Sequence, residues 1–189
     1  MRLFYAVPVP TELTRELAQA QRALKGNWRS VRADQMHITL AFLPDVQPAD
    51  LEHLREVGRE AARDFPAFTA RLRGTGYFPN EGSPRVWFVK VDAPEIDELA
   101  QRVRSALRVP QDDKPFKAHV TLARKKGPAP RVAPLVYDLA WEVKGFTLMK
   151  STLHKTGPEY EVTSRFKLTQ PARRAEEDAG APPEEANHG

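Results

Sequence analysis

An α+β fold of two related lobes is predicted by three observations. A short phrase is written twice, as His37-Ile38-Thr39-Leu40-Ala41 and, 82 residues later, as His119-Val120-Thr121-Leu122-Ala123. Its surroundings repeat at the same offset: Glu16-Leu17-Ala18-Gln19 recurs as Glu98-Leu99-Ala100-Gln101, Val7 and Val9 as Val89 and Val91, and Arg22 as Arg104. A duplication carries its scaffold along with its active residues, so each copy is predicted to run strand, helix, then His strand. The third observation is the alternation of period-2 and period-3.6 apolar patterns along the chain, which interleaves helices with antiparallel strands. Two antiparallel sheets with the helices outside them would leave their inner faces to line a central cleft.

The elements follow in order. Arg2 to Val9 mixes aromatic and β-branched residues and is halted by Pro8 and Pro10, which predicts a strand. Thr11 is suited to cap a helix whose apolar stripe is Leu13, Leu17, Ala20 and Leu24, ending at Gly26. Trp28 to Gln35 is predicted to be a connection. The first His strand spans residues 36–43 and closes at Pro44-Asp45; Pro48 then opens a second helix with Leu51, Leu54, Val57 and Ala61 inward. Phe68 to Tyr77 alternates as a strand, and Arg85 to Val91 is the second copy of the opening strand. Asp92-Ala93-Pro94-Glu95 signals a helix start with Asp92 as cap, and that helix is predicted to reach about Arg108. The second His strand spans 117–124, followed by a basic loop from Lys125 to Pro134 and strands over Trp141 to Lys150 and Glu161 to Leu168. Residues 1–170 are thus predicted to form one bilobal domain. Residues 171–189 carry Ala, Pro, Gly and Glu with no large apolar side chain, the composition of a disordered acidic tail.

The chain of 189 residues is 41% apolar, enough for a sizeable core. It has no cysteine, which excludes a disulfide framework, a thiol nucleophile and a Cys-ligated zinc site and suits a reducing compartment. The opening apolar run stops at Pro8, too short for a secretory core or a membrane span, so the expectation is a soluble cytoplasmic protein. The formal net charge is +4, and the final segment holds Glu176, Glu177, Asp178, Glu184 and Glu185 against only Arg173 and Arg174. What precedes it is therefore more basic than the whole, which favours an anionic partner such as RNA.

In an extended strand, His37 and Thr39 share one face while Ile38 and Leu40 share the other, and His119 and Thr121 repeat the pattern. Two imidazoles and two hydroxyls facing one cleft make a kit for acid-base chemistry on a phosphate. In-line displacement at phosphorus needs a base on one side and an acid on the other, and symmetry leaves those roles interchangeable. The competing interpretation, two hydrogen-bonded structural histidines, does not account for the duplicated flanks. No carboxylates cluster beside either His, so neither a metal nor a cofactor is expected. His53, in a helix, and His154, near a turn, are expected at the surface or in packing. Of Tyr5, Phe42, Phe78 and Trp87, some could stack a base; period-2 alternation points Phe42 inward with Ile38 and Leu40, and Trp28 and Arg32 are candidates for the rim.

At these residues the sequence resembles the 2H phosphoesterase superfamily, defined by two H-x-T-x motifs in a pseudo-symmetric bilobal fold. More closely, it resembles the bacterial RNA 2′,3′-cyclic phosphodiesterase family, also named 2′-5′ RNA ligase. The resemblance rests on Arg2-Leu3-Phe4-Tyr5-Ala6-Val7, both His phrases, Gly76-Tyr77-Phe78-Pro79, Pro84-Arg85-Val86-Trp87 and Gly157-Pro158-Glu159-Tyr160. It implies hydrolysis of an RNA 2′,3′-cyclic phosphate end, or of a related nucleotide, to a 2′-phosphomonoester without metal; a monomer is expected. By the same resemblance His37 is the proton donor to the departing 3′ oxygen and His119 the proton acceptor from water. Thr39 and Thr121 would hold the nonbridging oxygens, and Arg124 matches a substrate-binding Arg. Two alternatives stay open: 2′-5′ ligation of a cyclic end to a 5′-hydroxyl, and an RNA-binding module that grips phosphate without turnover.

Overall fold

The computed structural model describes residues 1–170, so the predicted tail lies outside the described residues. The chain forms β1 (Arg2–Pro8), α1 (Thr11–Gln21), β2 (Trp28–Ser30), β3 (His37–Leu43), α2 (Leu51–Ala62), β4 (Phe68–Phe78), β5 (Val86–Asp92), α3 (Pro94–Ala106), β6 (His119–Lys125), β7 (Val136–Val143), β8 (Gly145–His154) and β9 (Gly157–Lys167). Single turns of 3-10 helix at Ala33–Gln35 and Pro48–Asp50 lead into β3 and α2. The fold is α+β. No helix among the described residues is long and apolar enough to cross a membrane.

The strands order as β7-β4-β5-β6-β3-β1-β8-β9, with β2 beside β6, and every strand pair is antiparallel. The order is symmetric about its middle: β3, β1, β8 and β9 on one side answer β6, β5, β4 and β7 on the other. The two predicted sheets meet at a single residue pair, Ile38 opposite Val120. The extended run through β7 and β8 pairs first with β4 and then with β1. With only Lys144 between the two strands, the sheet must curl to bring its far ends together. The predicted strand over Trp141 to Lys150 straddles this crossing, with Lys144 as the break between β7 and β8.

Both His strands bury one face. Ile38, Leu40, Val120 and Leu122 are fully buried in one apolar cluster with Leu17, Leu54, Trp87, Leu99 and Val103. The helices are exchanged between lobes: α1 follows β1 yet packs on β6, and α3 follows β5 yet packs on β3. Gln21, the last residue of α1, donates from Nε2 to the carbonyls of Val31 (2.7 Å) and Leu122 (2.8 Å), tying the helix end to β6.

Several sequence expectations change, among them the connection over Trp28 to Gln35, which contains β2. Pro10, not Thr11, precedes the first turn of α1, and the Thr11 carbonyl instead accepts from the Thr14 hydroxyl (3.0 Å). That helix stops at Gln21, short of Leu24, with Gly26 at φ 76° in the left-handed region that ends such turns. Ala93 rather than Asp92 caps α3, which ends at Ala106 instead of Arg108, where the Arg108 N–H donates to His53 Nε2 (3.1 Å).

Candidate active site

The same irregularity occurs in both His strands. Along β3 the pairing with β1 jumps from Tyr5–Ala41 to Ala6–Thr39, leaving Leu40 without a partner of its own. Along β6 the pairing with β5 jumps from Trp87–Ala123 to Phe88–Thr121, leaving Leu122 unpaired, again 82 residues on. A β-bulge shifts the alternation of faces by one residue. Leu40 and Ala41 are accordingly both buried, as are Leu122 and Ala123. The next residues, Phe42 and Arg124, then return to the face that carries His and Thr.

That face lines a cleft of about 1010 Å³, walled by Phe4, His37, Thr39, Phe42, His119, Thr121, Arg124 and Tyr160 among others. Because Ile38 faces Val120, the register sets His37 opposite Thr121 and Thr39 opposite His119. Directly opposite side chains in a ladder stand ~5 Å apart at Cβ and diagonal ones roughly 7–8 Å, and the two imidazoles are diagonal across this pair. The structure brings His37, His119, Thr39, Thr121 and Arg124 to one cleft.

Each imidazole is held in the same way. His37 Nδ1 lies 2.6 Å from the Gln35 carbonyl and His119 Nδ1 lies 2.6 Å from the Lys117 carbonyl. A carbonyl only accepts, so Nδ1 carries the hydrogen and Nε2 is left with its lone pair in the neutral ring. The Thr39 hydroxyl donates to His37 Nε2 at 3.0 Å. Among the described residues His119 Nε2 has no such partner.

Aromatic rings box both histidines. His37 packs against Phe4 (4.9 Å between centroids) and edge-on to Tyr160 (5.6 Å). His119 packs edge-on to Phe78 (4.9 Å) and Phe88 (5.4 Å), which stack on each other at 4.0 Å. These walls keep water from the charged form. Burial, opposed by the Gln35 carbonyl and reinforced by the charges of His119 and Arg124, pulls His37 down to about pKa 4. His119 is lowered by burial and by Arg124, against the Lys117 carbonyl. Burial also raises Tyr160, opposed by Arg124 and Arg2. Arg124 thus acts on groups on both sides of the cleft.

Other expectations fare differently. Phe42 lines the cleft, with the Arg2 guanidinium 5.0 Å over its ring, because the bulge at Leu40 overrides simple alternation. Tyr5 and Trp87 are fully buried, and the Tyr5 hydroxyl donates to the Leu54 carbonyl, so neither is a stacking platform. Phe78 serves as a wall for His119. Arg32 lines the cleft in an ion pair with Asp34 (2.8 Å). Trp28 turns away, packing near Tyr77 and donating to the Pro130 carbonyl (2.9 Å). His53 in α2 accepts from the Arg108 N–H just past α3, whereas His154 lines the cleft in a pair with Glu159 (2.8 Å). Sequence reasoning gave no role to Phe4, Phe88, Tyr160 or Arg29; the first three have the aromatic spacing of core residues, and Arg29 belongs to a strand too short to show a period. Among the described residues no three His, Cys, Asp or Glu side chains gather as metal ligands would.

A model of the LigT-like phosphoesterase family matches two consecutive spans, residues 7–88 and 89–160. A Thermus thermophilus protein named RNA 2′,3′-cyclic phosphodiesterase is 47% identical over 180 residues, covering 89% of this chain and 90% of the relative. An Escherichia coli protein of the same name is 31% identical over 175 residues, covering 89% and 97%. Of the solved structures, one from Thermus thermophilus matches with a TM-score of 0.85 at 45% identity, covering 90% of this chain and 99% of that one. Escherichia coli LigT complexed with 3′-AMP matches with a TM-score of 0.77 at 29% identity, covering 89% and 98%.

Proposed function

The chain belongs to the LigT-like phosphoesterase family, and on that premise we propose that it hydrolyses ribose 2′,3′-cyclic phosphate at RNA 3′ ends to a 2′-phosphomonoester. The observation that carries this reading is the doubled placement of an imidazole and a hydroxyl, from matched strands, in one cleft.

Water enters in line with the bond from phosphorus to the 3′ oxygen. His119 accepts a proton from that water through Nε2, the nitrogen left without a partner among the described residues. As the bond to the 3′ oxygen breaks, His37 donates a proton to the leaving oxygen, and the phosphate stays on the 2′ oxygen. The Thr39 and Thr121 hydroxyls donate to the nonbridging oxygens as charge builds there, and Arg124 contributes a fixed positive charge. In the absence of substrate His37 is almost wholly neutral at pH 7, given its pKa of about 4. An anionic phosphate beside it favours the charged imidazolium, so substrate itself raises the acid towards its working state. This chemistry draws on side chains of one chain, which supports a monomer as the active form, and the lack of cysteine fits action in the cytoplasm.

The test is turnover of an RNA carrying a 2′,3′-cyclic end, with and without a 5′-hydroxyl acceptor. We expect a 2′-phosphate product in both cases, and His37→Ala and His119→Ala each to lower kcat by about 10²–10⁴-fold. Persistent turnover in either variant overturns the assignment of roles, a 2′-5′ ligated strand as main product overturns hydrolysis, and RNA binding without turnover overturns both.

A further inference from the structure

The catalytic centre is two-fold symmetric, but an RNA end is not, and the asymmetry of the cleft lies in its charges. Arg29 in β2 stands directly opposite Arg124 in β6, and Lys126 follows Arg124 on the same face; all three line the cleft. Like charges placed opposite each other on a sheet repel. β2 is nonetheless held in place by its ladder with β6 and by the bond from the Val31 N–H to the Leu122 carbonyl (2.9 Å).

No carboxylate among the described residues relieves the repulsion. Glu159 is the only acid among the described residues lining the cleft, and His154 engages it at 2.8 Å. Arg32 is matched by Asp34, but none of Arg29, Arg124 and Lys126 forms an ion pair among the described residues. The duplication does not explain them either: at the 82-residue offset Arg29 corresponds to Gln111, Arg124 to Phe42 and Lys126 to Pro44. Arg29, Arg124 and Lys126 thus gather where β2 meets β6, whereas Arg2 lies over the Phe42 ring. The cleft, at about 1010 Å³, also reaches the top of the ~300–1,000 Å³ range of small-molecule sites.

We propose that Arg29 and Lys126, flanking Arg124, form a second phosphate subsite that takes the phosphodiester on the 5′ side of the terminal nucleotide. The subsite rests on the phosphodiesterase reading and makes the protein favour an oligonucleotide end over a free cyclic nucleotide. Arg29 supplies a planar fork suited to two phosphate oxygens, and Lys126 supplies a point charge.

The test compares 2′,3′-cyclic AMP with the diadenosine dinucleotide ending in a 2′,3′-cyclic phosphate, over a range of salt concentrations. Wild-type protein is expected to favour the dinucleotide by about tenfold or more in kcat/KM, mostly through KM. Arg29→Gln and Lys126→Gln should each cut that ratio several-fold and reduce the dinucleotide's salt slope by about 0.7. Arg29→Lys should restore the salt slope, which a merely structural role for Arg29 would not do. An equal preference in wild type, or Gln variants that slow both substrates equally, overturns the subsite while leaving the phosphodiesterase standing. Failure of the wild type to turn over either substrate overturns both.

Discussion

His37 and His119 are each gripped at Nδ1 by a carbonyl two residues earlier in the chain and walled by aromatic rings. The grip fixes Nδ1 as the protonated nitrogen of each neutral ring, and the walls depress both titrations below the ordinary value near 6.5. Because kcat/KM reports the groups of the free enzyme, both limbs of its bell should lie below pH 6.5, whereas kcat, set by the substrate complex, should peak at higher pH. A kcat/KM optimum above about pH 7 would contradict the depressed pair. Stability follows the same sign. A histidine whose folded pKa is lowered binds a proton more readily in the unfolded chain, so its contribution is complete above about 6.5 and is lost as pH falls towards 4. His37→Phe, which keeps the aromatic bulk, should therefore flatten the fall in denaturation midpoint between pH 6.5 and 4.

At the scale of the element, the paired bulges explain what a period-2 reading could and could not foresee. His37, Thr39, His119 and Thr121 precede the bulges, so their shared face was legible from alternation alone. Phe42 and Arg124 follow them, and counting by twos assigns both to the wrong side. β7 escaped in part because it is an edge strand with weak apolar contrast, its first residue Val136 being 87% exposed. The register of β9 against α2 was equally hidden, since it depends on a missing side chain. A Cβ added at Gly58 of α2 would lie 2.2 Å from the Phe166 ring, which is buried beside Tyr5 and Phe146. Gly58→Ala should thus lower unfolding free energy by about 1–3 kcal/mol despite the better helix propensity of Ala. A stabilised protein in urea titration would show that this ring moves aside freely.

For the whole molecule, exchange of α1 and α3 makes each lobe depend on the other, although among the described residues β3 and β6 pair only through Ile38–Val120. Urea denaturation is expected to give one transition, coincident by tryptophan fluorescence and far-ultraviolet circular dichroism. Two separated transitions would mean that the lobes fold independently. The duplication was visible in the sequence as an offset, but the exchange was not, because repeated motifs record ancestry and say nothing about which copy a helix leans on. The long return of β8 and β9 to β1 has a further consequence for biosynthesis, where the amino end leaves the ribosome first. The earliest strand must wait for almost the last one translated before its sheet is complete. A nascent chain stalled before Gly145 would carry both imidazoles but lack the Tyr160 wall, so premature termination yields polypeptide with an unfinished cleft.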